Sequence, residues 1–160
     1  MNSIEVIAVG ALHKGFLEDG CAEYMKRMKN FFRFQMTELT EQKLVSDDEQ
    51  GIKKVIDMEG EKILKALDKK QDPFIVAMCI EGKTMKSEDL ALLMKDLEPQ
   101  GRKLVFIIGG SYGLSDEVKK LADLKLSMSP MTFPHQLARL MLLEQIYRAG
   151  TINAGIKYHK

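Results

Sequence analysis

The sequence predicts an α/β fold in which helices cover both faces of a mostly parallel β-sheet. Segments typical of strands and of helices alternate along the 160 residues, as they do in βαβ units. Two of the strand-like runs, 73–80 and 103–108, are almost wholly apolar, which is usual for strands buried on both faces. Because the chain has no internal repeat and no linker, we expect one domain over residues 1–160.

Three further segments have the composition of strands, namely 4–9, 31–39 and 124–128. The first of these, IEVIAV, is too short to cross a membrane and no basic residues precede it. We therefore interpret it as a strand and not as a signal peptide. No other segment is long and apolar enough for a membrane span.

Helices are predicted between the strands and after the last one. The first covers 16–29. Ser46 and Glu49 have the spacing of a capping box, which predicts a second helix that extends to about Leu67 along an apolar face. Capping serines and a proline suited to a first helical turn begin the remaining helices. These residues are Ser87, Ser115 and Pro134.

Charge and cysteine content narrow the possible functions. The net charge is +1, so no global positive field favours binding of naked nucleic acid. A nucleic-acid-binding role would depend on a local basic patch. Cys21 and Cys79 form no CxxC pair and lie in apolar surroundings, as expected for reduced thiols of a cytoplasmic protein. The strand ends carry no cluster of metal-ligating residues, so we expect no metal.

Three strand ends, CIEGK, IIGGSYG and SMSPMTF, are small, flexible or weakly polar. Ligands of parallel sheets bind outside the carboxyl ends of the strands. Glycines 109, 110 and 113 would let backbone N–H groups approach a ligand, although the dinucleotide and Walker A spacings are absent. Residues 81–83 could contact the polar end of a ligand, and 128–133 suits a flat, neutral group such as adenine. Ordinary turns and a buried connection are the alternatives.

The last helix and the tail carry the remaining candidates. His135 and Arg139 lie one turn apart, although a core helix with satisfied polar groups is the alternative. This helix is apolar almost all round, so we expect it to pack on its own sheet and on a partner subunit in a homodimer. The terminal run 157–160 is basic and aromatic, which suits contacts with phosphates and a base, or else it is a frayed end.

The motifs IEGK, IIGGSYGLS, LSMSPMTFPHQLARLMLLEQIYRA and terminal YHK resemble the ribosomal RNA large subunit methyltransferase H family, of the SPOUT class. The resemblance extends from the first strand to the last residue. It implies a C-terminal trefoil knot and S-adenosylmethionine as cofactor. It further implies methylation of N3 of a pseudouridine in helix 69 of bacterial 23S rRNA, on the assembled ribosome.

The resemblance also implies site residues. The cofactor contacts fall on Met78, Gly109, Met128, Ser129, Pro130, Met131, Thr132 and Phe133. Backbone groups of 128–133 would hold the adenine, and Gly109 would stay small to admit the ribose and methionine parts. For the transfer itself, we expect the nucleotide to be contacted by His135, Arg139, Tyr158, His159 and Lys160, with the tail contributed by the partner subunit. The choice of base between His135 and His159 stays open.

Two other functions are compatible with the sequence. A flavodoxin-like nucleotide-binding protein or hydrolase could use residues 109–113 as a phosphate cradle. A non-catalytic ribosome-binding factor could keep the fold while its pocket is vestigial. Binding of S-adenosylmethionine as against ATP separates the first alternative from a methyltransferase, and methyl transfer to rRNA separates the second.

Overall fold

A computed structural model describes residues 2–160 and contains one sheet of five parallel strands. The strands are β1 (Ser3–Val9), β2 (Arg33–Leu39), β3 (Phe74–Lys83), β4 (Leu104–Ile108) and β5 (Leu124–Leu126). Their order across the sheet is β2-β1-β4-β3-β5. The predicted α/β class is confirmed, and every pairing within the described sheet is parallel.

Helices cover both faces of this sheet, as predicted. They are α1 (Phe16–Met28), α2 (Glu49–Asp68), α3 (Ser87–Leu97), α4 (Asp116–Leu121) and α5 (His135–Asn153). On one face, α5 packs between α1 and α3, and on the other face α2 packs against α4. No helix in residues 2–160 is long and apolar enough to cross a membrane.

The sheet has a core on each side, which explains why its central strands are so apolar. In β1, Ile4 and Val6 face α1, α3 and α5, whereas Ile7 and Val9 face α2 and α4. All four are at most 1% exposed. Burial of each such side chain stabilises the fold by roughly 1.5–3 kcal/mol.

The starts of two helices differ from the predictions. Asp48, and not Ser46, caps α2, because its carboxylate accepts the N–H of Gly51 at 2.7 Å. Ser87 lies inside the first turn of α3, where its hydroxyl donates to the side-chain oxygen of Gln145 on α5 at 2.6 Å. The cap at Ser115 is confirmed, since its hydroxyl oxygen accepts the N–H of Val118 at 3.3 Å.

The strand β3 is longer than predicted, and β5 is shorter. A bulge after Met78 lets β3 continue to Lys83, which pairs with Leu126. A Cβ on Gly82 would lie 2.7 Å from the backbone carbon of Lys125, so only glycine allows the two strands to approach here. The sequence favours a turn at 81–83, whereas the structure extends the strand there, towards the candidate site.

The connection from β5 to α5 brings the chain back across the sheet. The edge strand β5 pairs only with β3 in the described sheet, yet α5 begins beside Gly10, which follows β1. Pro134 immediately precedes the helix, at its N-cap. The C-terminal knot that the family resemblance implies stays a prediction.

Candidate functional site

A cavity of about 320 Å³ lies at the carboxyl ends of β3, β4 and β5. Its walls come from the three segments that the sequence predicts to be neighbours. Of the residues predicted for the cofactor, the cavity is lined by Met78, Gly109, Met128, Ser129, Met131, Thr132 and Phe133. Pro130 is exposed and lies outside the lining. The volume is within the range typical of small-molecule sites.

The segment after β5 is held in shape by its own hydrogen bonds. The Ser127 hydroxyl donates to the carbonyl of Ser129 at 3.0 Å, and the Ser129 hydroxyl oxygen accepts the N–H of Met131 at 3.0 Å. No charged side chain occurs from Ser127 to Pro134. This wall therefore offers main-chain polar groups and apolar surface to a ligand, as predicted for 128–133.

The glycine loop after β4 closes on itself. The N–H of Gly113 donates to the carbonyl of Gly110 at 3.1 Å, and Gly113 has a left-handed φ of 85°. A Cβ on Gly109 would lie 2.7 Å from the carbonyl carbon of Gly113. The loop backbone alone therefore requires glycine at this position, and the predicted contact of Gly109 with the ribose and methionine parts stays a prediction.

Glu59 of α2 supports the glycine loop from beneath. Its side chain is buried, and a Cβ on Gly110 would lie 2.9 Å from Glu59 Oε1. The other carboxylate oxygen accepts the N–H of Gln42 at 2.9 Å, while Oε1 has no hydrogen-bond partner. Burial raises the pKa of Glu59. Sequence analysis missed this residue. The sequence does contain a signal for it, because Glu59 lies four positions from both Val55 and Ile63, on the buried face of α2.

His135 lines the cavity and has a ring nitrogen without a hydrogen-bond partner. The residue begins α5 and lines the cavity, and its Nε2 is buried without a hydrogen-bond partner. A Cβ on Gly10 would lie 3.6 Å from this nitrogen and 3.7 Å from Glu41 Oε2, so the carboxylate and the imidazole flank Gly10. The other oxygen of Glu41 accepts the hydroxyl of Ser111 at 3.1 Å.

Arg139 lies one turn further along α5 but does not line the cavity. Its side chain is 1% exposed, and its guanidinium donates to Glu38 Oε2 at 2.6 Å and to the carbonyl of Gly10 at 2.7 Å. These bonds join α5 to the carboxyl ends of β1 and β2. The structure therefore does not bring Arg139 to the cavity, and its predicted contact with the nucleotide stays a prediction.

The C-terminal tail packs against α5, away from its own cavity. The Tyr158 phenol donates to Glu144 Oε1 at 3.0 Å, and its ring lies 4.7 Å from the guanidinium carbon of Arg148. Burial, with hydrogen bonds to Tyr24 and Glu144, raises the pKa of Tyr158 well above its usual value, so the phenol stays protonated. Nine residues of helix, or roughly 13 Å at 1.5 Å per residue, separate Glu144 from His135.

Both ring nitrogens of His159 are occupied. Arg148 Nη1 lies 3.2 Å from Nδ1, and Glu88 Oε1 lies 3.0 Å from Nε2. A guanidinium can only donate, so Nδ1 accepts and Nε2 carries the hydrogen that is donated to Glu88. Of the two histidines proposed as the base, His135 is thus the one with a free nitrogen. Lys160 is exposed and does not line the cavity.

A second cavity, of about 440 Å³, forms a groove between α1, α3 and α5. Apolar side chains dominate its walls, and the hydroxyl of Tyr24 and the carboxylate of Glu144 link it to the tail. It shares Leu126, Ser127 and Met128 with the first cavity, so one short segment separates the two. Within residues 2–160, no group of three or more His, Cys, Asp or Glu could hold a metal.

Comparison with known proteins identifies the family. A family model described as predicted SPOUT methyltransferase matches residues 2–159. The chain belongs to the SPOUT methyltransferase family. It is 43% identical over 159 residues to ribosomal RNA large subunit methyltransferase H from Streptococcus pneumoniae strains CGSP14 and 70585, and each alignment covers 98% of this chain and 99% of the relative. The resemblance noted from the sequence is thereby confirmed.

Solved structures share the fold of this SPOUT protein at low sequence identity. A probable methylase family protein from Haemophilus influenzae matches with a TM-score of 0.57 and 16% identity, over 99% of this chain and 71% of that one. A putative methyltransferase from Legionella pneumophila, solved in complex with SAM, matches with a TM-score of 0.50 and 17% identity, over 92% of this chain and 66% of that one. At these identities the likeness concerns the fold alone.

Proposed function

We propose that this SPOUT protein transfers a methyl group from S-adenosylmethionine to ribosomal RNA of the large subunit. The observation that carries the proposal is the cavity formed by three strand-end segments, in a chain similar over its whole length to ribosomal RNA large subunit methyltransferase H. The Legionella relative, which holds SAM, supports the choice of donor. The finer target, N3 of a pseudouridine in helix 69 of 23S rRNA, follows from the family resemblance.

The cavity walls suit the donor. When bound, S-adenosylmethionine supplies an electrophilic methyl group on a sulfonium centre. Main-chain groups of 128–133 would hold the adenine against Met78 and the apolar surface of that segment. The glycine loop at Gly109 would bring backbone N–H groups close to the rest of the nucleoside. Correct orientation of donor and acceptor alone contributes roughly 7–11 kcal/mol to such a displacement.

His135 is the best candidate to receive a proton. The ring N3 of pseudouridine carries a hydrogen that must leave as the methyl group arrives, so a base is required. His135 lines the cavity and its Nε2 has no hydrogen-bond partner, which supports this role, whereas the ring nitrogens of His159 are both engaged. Arg139 then acts as a positioning residue, because its bonds to Glu38 and Gly10 fix the first turn of α5.

The nucleotide would be bound between two subunits of a homodimer. The tail contacts Glu144, which lines the apolar groove of its own chain, and this contact is roughly 13 Å of helix from its own His135. A second copy seated on that groove would bring Tyr158, His159 and Lys160 to the partner's cavity. The net charge of +1 fits a substrate recognised by shape and protein neighbours as well as by phosphate attraction.

The decisive experiment uses ribosomes that lack the modification. Incubation with methyl-labelled S-adenosylmethionine should label 23S rRNA in assembled ribosomes, and the label should map to N3 of one pseudouridine in helix 69. His135→Ala should lower the rate by about a hundredfold or more, as loss of a general base does. Ribosome binding without label would indicate a non-catalytic factor. Tight ATP binding without binding of S-adenosylmethionine would indicate a nucleotide-binding protein.

A further inference from the structure

We propose that Lys119 and Glu81 form a subsite that binds the amino-acid end of the methyl donor. The inference rests on the proposed function, since it requires S-adenosylmethionine in the cavity. It concerns a part of the cavity wall that neither the glycine loop nor residues 128–133 supply. Lys119 belongs to α4, and Glu81 belongs to β3, in the stretch between Met78 and Lys83 where the strand register shifts.

This pair supplies the formal charges of the cavity. Among the lining residues, Glu81 and Lys119 are the acidic and the basic side chain, and the other walls are neutral apart from the titratable His135, Cys79 and Tyr112. The Lys119 Nζ lies 2.5 Å from Glu81 Oε1. The hydrogen bond from Lys119 lowers the pKa of Glu81, so the carboxylate is ionised when the pair is intact.

The donor carries the complementary pair of charges. Its amino-acid end holds one carboxylate and one ammonium group on the same carbon. Lys119 would bind the carboxylate and Glu81 would bind the ammonium group, so the protein's ion pair opens and two new pairs replace it. Neither charge of the amino-acid end is then left unpaired, which avoids the cost of burying an isolated ion there. The neutral walls remain for the adenine and the ribose.

Local structure holds both side chains at the cavity. Gly82 allows β3 to continue beside Lys125, which carries Glu81 to the cavity rim. Ser115 caps α4, and Lys119 lies one turn after that cap. The side chain of Lys119 is 23% exposed, so its ammonium group is partly shielded from water, which strengthens a charge-assisted bond. The neighbouring Lys120 is exposed and does not line the cavity.

Calorimetry with three ligands tests the subsite. The ligands are S-adenosylmethionine, S-adenosylhomocysteine and 5′-methylthioadenosine, which lacks the amino-acid end. Lys119→Met should weaken binding of S-adenosylmethionine and S-adenosylhomocysteine by about tenfold or more, as expected for loss of a charge-assisted bond. It should change the affinity for 5′-methylthioadenosine by less than about twofold. The matched control Lys120→Met should leave all three affinities unchanged.

A second variant removes the opposite charge. Glu81→Gln should also weaken the two amino-acid ligands selectively, and thermal unfolding of each variant establishes that it is folded. Equal losses for all three ligands in both folded variants would show that the pair only shapes the cavity. Unchanged affinities would place the amino-acid end elsewhere. If the wild-type protein bound none of the ligands, the proposed function itself would fail, whereas normal wild-type binding with unaffected variants would refute only the subsite.

Discussion

At the scale of single residues, buried ionisable side chains shape the site without lining it. Arg139 is fully buried and is ion-paired with Glu38, and it also donates to the carbonyl of Gly10, while its Nε has no hydrogen-bond partner. Glu59 is equally buried, and its Oε1 beneath Gly110 has no hydrogen-bond partner. An ionised carboxylate in that position lacks the hydrogen bonds that would offset its lost hydration. The two residues therefore differ in how their charge affects stability.

The raised pKa of Glu59 predicts a pH-dependent stability. The folded protein binds this proton more tightly than the unfolded chain, whose carboxyl titrates near 4.5. The free energy of unfolding should therefore fall as the pH rises from the unfolded pKa through the folded pKa. Glu59→Gln removes the ionisation and should flatten this part of the profile. Urea unfolding of both proteins from about pH 4 to about pH 8 measures the difference.

The wild type and the Glu59→Gln variant are compared by how the free energy of unfolding changes with pH, and not by its absolute value. In the Glu59→Gln variant, the side-chain amide oxygen can still accept the N–H of Gln42. The amide N–H donors introduced by the substitution are buried, and any that lacks a partner lowers stability equally at every pH. Parallel profiles for the wild type and the variant would contradict the prediction. Gln42 donates through its backbone, so its own side chain is unaffected by the substitution.

At the scale of elements, the sequence correctly predicts those helices and strands whose positions depend on local residue patterns. The apolar runs located β3 and β4, and Ser115 located the start of α4. Local patterns do not decide between capping residues that lie close together, and the N–H of Gly51 donates to Asp48, which is the cap in place of Ser46. They also do not show which of two adjacent lysines enters a cavity. Lys119 was missed for this reason, because only the packing of α4 distinguishes it from Lys120.

The tail is the element whose removal should separate binding from catalysis. Deletion of residues 158–160 takes away contacts with Glu144, Arg148 and Glu88 but none of the cavity walls. We expect S-adenosylmethionine affinity to stay within about twofold and methylation of ribosomes to fall by about a hundredfold or more. Calorimetry and methyl-label incorporation measure the two effects. A loss of cofactor affinity would mean that the tail belongs to its own chain's cavity.

Mixing two inactive variants tests whether the tail acts on the partner. A tail-deleted chain keeps His135, and a His135→Ala chain keeps the tail. Mixed dimers then contain one complete site if the two parts come from different subunits. Methylation should reappear on mixing, at about a quarter of the wild-type level for random exchange between subunits. No recovery in dimers shown to be mixed would mean that each site is built from one chain.

At the scale of the whole molecule, the apolar groove is the surface expected to bind a second copy. It lies along α5, the helix that the sequence predicts to contact a partner, between α1 and α3. Half-buried Leu140 and Met141 contribute to its walls, and the groove adjoins the segment shared with the cofactor cavity. A soluble monomer would leave this apolar surface in water.

Met141→Lys should therefore convert the proposed homodimer to a monomer. A buried ammonium group without a partner at the interface costs several kcal/mol, enough to weaken assembly by about a thousandfold. Sedimentation velocity measures the state of assembly. Leu121→Lys is the matched control, because Leu121 is 54% exposed on α4, away from the groove, and should leave assembly unchanged. A Met141→Lys protein that stays dimeric would place the interface elsewhere.

The central position of β1 has a consequence for how the protein is made. Ile4 pairs with Leu104 in the sheet, so one long edge of β1 has no strand beside it until about 100 further residues have been synthesised. Contacts this distant in sequence slow folding, because a long loop must close before burial compensates for its entropy. The nascent chain should thus remain susceptible to proteases and available to chaperones until β4 has left the exit tunnel.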